Sequence, residues 1–260
     1  MRIRPGVEVA SSTDIGCRRE RNEDSYGYWE SEDDAIFSRL GRFAIVADGM
    51  GGHEGGQVAS RMAVEAVKEH YSHSPESDAQ KALVHAFSEA HRQIQLRAAE
   101  VTRLHGMGTT CTAIALVNGR LHFAHVGDSR LYLLRNGQLQ ILTHDHTLIA
   151  RWVESGVIQP EEAEHHPQKH VLTAALGVAD EVRPDVPVAP VFLQEWDTLM
   201  LCSDGLWGEM GEADIRQVLG MQSPEKVCRE FVSLAKKRGG PDNITVLVLR
   251  IVESSRPRLA

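Results

Sequence analysis

The stretch Thr109–Asp145, "TTCTAIALVNGRLHFAHVGDSRLYLLRNGQLQILTHD", holds two Asn-Gly pairs, Asn118-Gly119 and Asn136-Gly137. Each pair lies between β-rich runs. A tight hairpin turn needs positive φ at both central residues, and Asn-Gly adopts that at little steric cost. The stretch therefore reads as an antiparallel meander. Upstream the period changes. Val58, Ala59, Met62, Ala63, Ala66 and Val67 share one face of a helix over Gln57–Tyr71. Leu83, Phe87, Ala90, Ile94, Ala98 and Val101 do the same from about Ala79 to Leu104. Before these helices, "RFAIVA" at Arg42–Ala47 reads as a strand.

Downstream, Thr143 to Val182 is mixed, with short helical pieces and the acidic turn "QPEEAEHHP". "DTLMLCSDG" at Asp197–Gly205 is strand-like and ends on an aspartate. Ser223 and Pro224 open a further helix, as N-cap and first-turn proline. Its buried face is Val227, Cys228, Phe231, Val232 and Ala235, and Gly239-Gly240 ends it. "NITVLVLRIV" at Asn243–Val252 is the last strand. Antiparallel runs with helices grouped between them make an α+β fold, sheet packed on sheet with helices outside.

The bulk properties narrow the class of protein. The 260 residues are 42% hydrophobic and 25% charged, an ordinary globular composition. A net charge of -8 argues against nucleic acid or an anionic membrane as the main partner. The cysteines Cys17, Cys111, Cys202 and Cys228 form no CxxC pair, so they are expected to pack as small apolar residues in a reducing compartment. "MRIRPGVEVASSTDIG" lacks the apolar core of a signal peptide. No window approaches the roughly 18 apolar residues of a membrane span. A cytoplasmic protein is expected. Trp152, Trp196 and Trp207 read as packing residues.

Between the strand at Arg42–Ala47 and the helix at Gln57 lies "DGMGGHEGG", Asp48–Gly56. A Walker loop would end in Gly-Lys-Ser/Thr, which is missing, and a dinucleotide fingerprint would need glycine where Glu54 stands. Asp48 shares its setting with other acids. Asp128 follows "LHFAHVG", Asp204 follows "TLMLCS", Asp242 precedes "NITVLVLRIV", and Glu23-Asp24 precedes another strand-like run. One aspartate at a strand end is ordinarily a turn or cap residue. Repetition beside glycine or asparagine points instead to a shared ligand. Carboxylates and carbonyls suit hard cations such as Mg²⁺ and Mn²⁺, and converging carboxylates need cations to neutralise them. Arg18, Arg19 and Arg21 offer a cationic partner for an anionic substrate.

These residues resemble the metal-dependent Ser/Thr protein phosphatases of type 2C in their compact bacterial form. The motifs run in the family's order from about Val7 to Val252: "RERNED" (Arg19–Asp24), "VADGMGG" (Val46–Gly52), "GTT" (Gly108–Thr110), "VGDSRLYLLRNG" (Val126–Gly137), "LTHDHTL" (Leu142–Leu148), "HVLTAALG" (His170–Gly177), "LMLCSDGLW" (Leu199–Trp207) and "GGPDNITV" (Gly239–Val246). The resemblance implies a four-layer αββα β-sandwich, as one catalytic domain over residues 1–260 with a flap at about 144–170. It implies two Mn²⁺ or Mg²⁺ ions, with a third more loosely held. Asp48 would bridge the two, the Gly49 carbonyl would bind one, and Asp204 and Asp242 would hold the other. Glu23 or Asp24 would reach the second metal, and Asp128 would join Asp204 at the third. Arg19 would bind phosphate, and a hydroxide between the cations would attack phosphorus in line. The implied partners are phosphorylated Ser/Thr proteins and the Ser/Thr kinase that the enzyme, a monomer, would oppose. Met50 departs from the pattern, since eukaryotic members place a candidate general acid, histidine, there. His53 or a metal-bound water would take that role. A small-molecule phosphoester hydrolase is the alternative on the same chemistry. A non-catalytic member would be expected to have lost ligands, and none is lost here.

Overall fold

Both Asn-Gly pairs make the expected turns, with φ of 50° and 75° at Asn118 and Gly119 and of 49° and 75° at Asn136 and Gly137. The structure is a computed structural model, which describes residues 3–51, 54–163, 166–178, 180–187, 189, 191–221 and 223–252. In chain order the strands are β1 (Val7–Asp14), β2 (Asp24–Glu30), β3 (Arg42–Met50), β4 (Gly108–Thr109), β5 (Cys111–Val117), β6 (Arg120–Val126), β7 (Arg130–Arg135), β8 (Gln138–Ile141), β9 (Val191–Phe192), β10 (Thr198–Cys202) and β11 (Ile244–Ile251). The helices are α1 (Asp34–Leu40), α2 (Gly55–Ser72), α3 (Ala79–Glu100), α4 (Leu148–Glu154), α5 (Pro160–Ala163), α6 (Asp204–Trp207), α7 (Glu212–Leu219) and α8 (Pro224–Lys237).

The strands form two antiparallel sheets, ordered β1-β11-β10-β7-β8 and β2-β3-β5-β6-β9, with β4 paired to β3. This corrects the single meander expected from Thr109–Asp145. The β5–β6 hairpin belongs to one sheet and the β7–β8 hairpin to the other. The chain crosses at Gly127-Asp128-Ser129, where Gly127 has φ 108° and an added Cβ would lie 2.5 Å from Thr110 Cβ. Only glycine fits so tight a crossing.

Three apolar layers separate the four layers of secondary structure. Ala44 and Val46 of β3 face across the sandwich towards Leu131, Leu199, Leu247 and their neighbours. Phe43, Ile45 and Ala47, the alternate residues of β3, pack instead with Ala63, Val67, Phe87 and Ile94 of α2 and α3. On the opposite outer face, Met200, Val246 and Val248 pack with Val227 and Phe231 of α8. Both sides of each sheet are thus covered, which is why β5, β10 and β11 are buried at every position and read as continuous apolar runs.

Helix α3 stops at Glu100, because Val101 turns extended at φ -122°, and a 3-10 turn carries the chain through Leu104. Ser223 precedes α8 as expected, but its hydroxyl bonds Glu225 and makes no bond to the helix backbone. Cys111, Cys202 and Cys228 are buried, whereas Cys17 is exposed on the loop after β1. Trp196 is not a packing residue either: it is 69% exposed, in a turn with φ 70°. Among the described residues no helix is long and apolar enough to cross a membrane.

Candidate metal centre

The C-terminal ends of β3, β6 and β10 and the N-terminal ends of β2 and β11 meet at one end of the sandwich, which is where the sequence-selected acids sit. A cleft of about 650 Å³ opens there. Arg19, Glu23, Asp48, Gly49, Asp128, Asp204 and Asp242 line it. Asp24 does not; it lies buried behind the wall, directly opposite Asp48 in the β2–β3 ladder. Like charges at such a pair destabilise a sheet unless something offsets them.

The backbone of Asp48 is clamped on both sides. Its amide donates to Thr110 Oγ1 (2.9 Å), and its carbonyl accepts from the Thr110 amide (2.9 Å) and from Thr109 Oγ1 (2.8 Å). Thr110 is steadied in turn by Ser129 Oγ at 2.8 Å. Gly49 allows the next step: a Cβ there would lie 2.0 Å from the Gly56 carbonyl oxygen and 2.7 Å from that of Glu23. Its lack of a side chain lets β3, the first turn of α2 and Glu23 close together.

Asp24 accepts from Ser203 Oγ at 2.7 Å through one oxygen, while its Oδ1 is buried without a partner. Asp204 Oδ1 is buried and unpartnered too. Burial pushes the Asp24 carboxyl up to about 7, and the charges of Asp204 and Asp242 add to the shift. Burial also raises Asp48 well above the usual carboxylate range, with Asp24, Asp204, Asp128 and Asp242 contributing. Asp128 is raised for the same reasons, burial first and Asp204 next. Two orphaned buried oxygens and a set of acids that hold protons against their nature indicate missing positive charge. The donors are all oxygens, which fits hard divalent cations.

Arg19 donates to Asp242 Oδ2 at 2.6 Å, and that bond holds its guanidinium charged. Arg18 and Arg21 do not line the cleft, and Arg21 pairs with Glu54 at 3.6 Å. Lys169 and His170 also line the cleft, with His170 Nδ1 3.4 Å from Asp204 Oδ2. Met50 lines the wall, and His53 lies outside the described residues.

Several contributors were not legible as functional residues. Asn243 accepts from the Glu23 amide (2.8 Å) and donates to the carbonyls of Ile15 and Arg21, so it ties β11 to the loop that carries Arg19. Trp207 donates to the Asp128 carbonyl (2.9 Å) and lies under Arg130, whose guanidinium sits 3.5 Å from the ring centroid. Arg130 is clamped to Asp145, at 2.6 Å for the shortest bond. Thr109, Thr110 and Ser203 stand inside quoted motifs, yet nothing in their spacing signals which backbone they hold.

The family model described as Protein phosphatase 2C matches residues 18–236. The chain belongs to this family. Serine/threonine phosphatase stp of Listeria welshimeri is 40% identical over 242 residues, covering 91% of this chain and 93% of that one. Protein phosphatase PhpP of Streptococcus pneumoniae is 34% identical over 264 residues, covering 95% and 98%. The S. agalactiae serine/threonine phosphatase superposes with a TM-score of 0.86 at 35% identity, over 95% of this chain and 100% of that one. The catalytic domain of serine/threonine protein phosphatase PstP, solved in complex with two manganese ions, superposes with a TM-score of 0.82 at 33% identity, over 95% and 99%.

Proposed function

We propose that this protein hydrolyses phosphoserine and phosphothreonine in proteins, with two Mn²⁺ or Mg²⁺ ions held in the acidic cleft. The observation that carries the reading is the convergence of Glu23, Asp48, Asp128, Asp204 and Asp242 on one cleft, together with one arginine and two orphaned buried carboxylate oxygens. The manganese-bound PstP relative supports the choice of metal. Asp48 would be shared by both ions, Asp204 and Asp242 would complete one, and the Gly49 carbonyl with Glu23, which lines the cleft where Asp24 does not, would serve the other. Asp128, beside Asp204, would hold a looser third ion. When bound, the cations acidify the attacking water and offset charge on the phosphoryl oxygens.

The chain's own residues do the rest. Arg19 is partly exposed and its partner Asp242 is itself a proposed ligand. With Asp242 engaged as a ligand, the Arg19 guanidinium fork would be free to grip two phosphoryl oxygens. Thr109 and Thr110 keep Asp48 from shifting as charge moves. The buried Cys111, Cys202 and Cys228 thiols have no access to substrate, and burial raises all three. No covalent phosphoenzyme is needed. Residues 1–260 would form one catalytic domain, with α4 and α5 in the flap beside the cleft. The substrates would be products of a Ser/Thr kinase.

Purified protein should cleave a phosphothreonine peptide with Mn²⁺, lose all activity on chelation and regain it when Mn²⁺ is restored. Activity that survives complete chelation would overturn the metal-dependent reading. Faster turnover of a small phosphate ester than of any phosphopeptide would move the substrate class instead. Arg19→Ala is expected to raise KM roughly 10- to 100-fold, the scale of a charge-assisted hydrogen bond, with a smaller effect on kcat. An unchanged KM would shift the phosphate contact to another cation, with Lys169 next on the cleft wall.

A further inference from the structure

A second cluster of donors lies apart from the cleft wall. His144 and His146 stand between β8 and α4, and Asp185 stands in the segment leading to β9. One ligand atom of each falls within 4.8 Å of the others. His146 Nε2 is 3.0 Å from Asp185 Oδ2, close enough for both to bind one ion. Glu154, at the end of α4, places Oε1 2.8 Å from His144 Nε2 but lies outside that group of three. We propose that His144, His146 and Asp185 form a binding site for a borderline first-row cation such as Zn²⁺.

The donor chemistry separates this site from the catalytic one. Imidazole nitrogens favour Zn²⁺, Ni²⁺ or Cu²⁺, whereas the oxygen-only cleft suits Mg²⁺ and Mn²⁺. The site is reachable from solvent, since the side chains of His144 and Asp185 are 47% and 49% exposed. Its backbone is already fixed. Asp185 exchanges two backbone bonds with His125, at 3.0 and 2.8 Å. The His144 carbonyl faces His125 Nε2 at 2.9 Å, and the His146 amide donates to the Gly127 carbonyl at 2.7 Å. The side chains need only turn onto an ion; the loops that carry them do not have to be ordered first.

An ion there would staple the start of the flap to the segment that returns from it. It would also be felt at the cleft. The Gly127 amide donates to His146 Nδ1 at 3.2 Å. Ligation through Nε2 puts the imidazole proton on Nδ1, so this bond must be given up. Gly127 is the neighbour of Asp128.

The test uses the full chain with Mg²⁺ saturating, to hold the cleft, and Zn²⁺ or Co²⁺ as the probe. Wild-type protein should bind one more Zn²⁺ per chain than His144→Ala in equilibrium dialysis. Its Co²⁺ complex should show the visible absorption of an imidazole-ligated ion, which the variant lacks. The Gly127 amide resonance should shift with Zn²⁺ in wild type only. Asp185→Asn, which keeps the backbone pairing with His125, should show the same loss. Zn²⁺ that enters the cleft does so equally in all three proteins and cancels in the comparison. Equal stoichiometry and equal Co²⁺ spectra would overturn the proposal and leave His146–Asp185 and His144–Glu154 as pairwise contacts alone. Wild-type binding in Asp185→Asn would overturn it as well.

Discussion

Asp48→Asn is expected to lower kcat on a phosphothreonine peptide by roughly 10³-fold or more, the scale on which loss of a principal electrostatic contact acts. The chain should stay folded. The contacts that fix residue 48 are made by its amide and carbonyl to Thr109 and Thr110, and asparagine keeps all of them. Asparagine is also nearly the same size as aspartate, so the packing at the end of β3 is unchanged. What is lost is one negative charge at the position proposed to be shared by both cations. That same charge opposes folding when no cation is bound, because Asp48 stands directly across the ladder from Asp24 and near Asp128, Asp204 and Asp242. The variant should therefore melt at a higher temperature than wild type after chelation, while being far less active with Mn²⁺. Such opposition between stability and activity is expected where a site concentrates like charge. Near-normal kcat with Mn²⁺ would show that Asp48 is not the shared ligand.

The sequence carried some of this arrangement openly and hid the rest for physical reasons. Asn-Gly dictates a local backbone, so both hairpin turns were legible. Which sheet each hairpin joins is a tertiary choice, and a period of two is the same on either side of the sandwich. The crossing at Gly127–Ser129 was therefore missed, although it is what carries Asp128 into the cleft. Strand β1 went unread because "VEVASSTD" is mostly small and polar; its place is set by pairing along its whole length with β11. Helix α1 is one short turn-rich element whose signal is the Asp33 cap, accepting from the Ala35 and Ile36 amides. The acids were legible because the same setting, an acid at a strand end beside glycine or asparagine, recurs along the chain. Asp24 shows the limit: β2 begins at Asp24 and Glu23 stands in the loop before it, so their spacing does not tell which of the two lines the wall. The structure puts Glu23 in the cleft and Asp24 behind it.

Removing the cations should make stability fall as pH rises above about 6.5, the opposite of ordinary acid sensitivity. Asp24 is pushed up to about 7, and Asp48 and Asp128 shift the same way. A carboxyl whose folded pKa lies above its unfolded value of about 3.9 holds its proton more tightly in the folded state. Its contribution is complete below the unfolded value and is lost as pH rises through the folded one. Groups shifted downward act in other windows. Glu89, held at about 2 chiefly by Arg92, loses its contribution only in acid. His125, lowered to about 4 by burial, favours folding as pH rises, but only up to about 6.5, where the unfolded imidazole has lost its proton. Above about 6.5 the cleft acids set the slope. Chelated protein should thus melt at a lower temperature at about pH 8 than at about pH 6.5. Mn²⁺ should remove or reverse that difference, because protons compete with the cation for the same oxygens and its binding tightens as they leave. Thermal melts at both pH values, with chelator and with Mn²⁺, check this directly. Chelated protein whose melting temperature holds or rises across the window would mean that the clustered carboxylates do not oppose the fold, and the charge argument for the metal centre would fail with it.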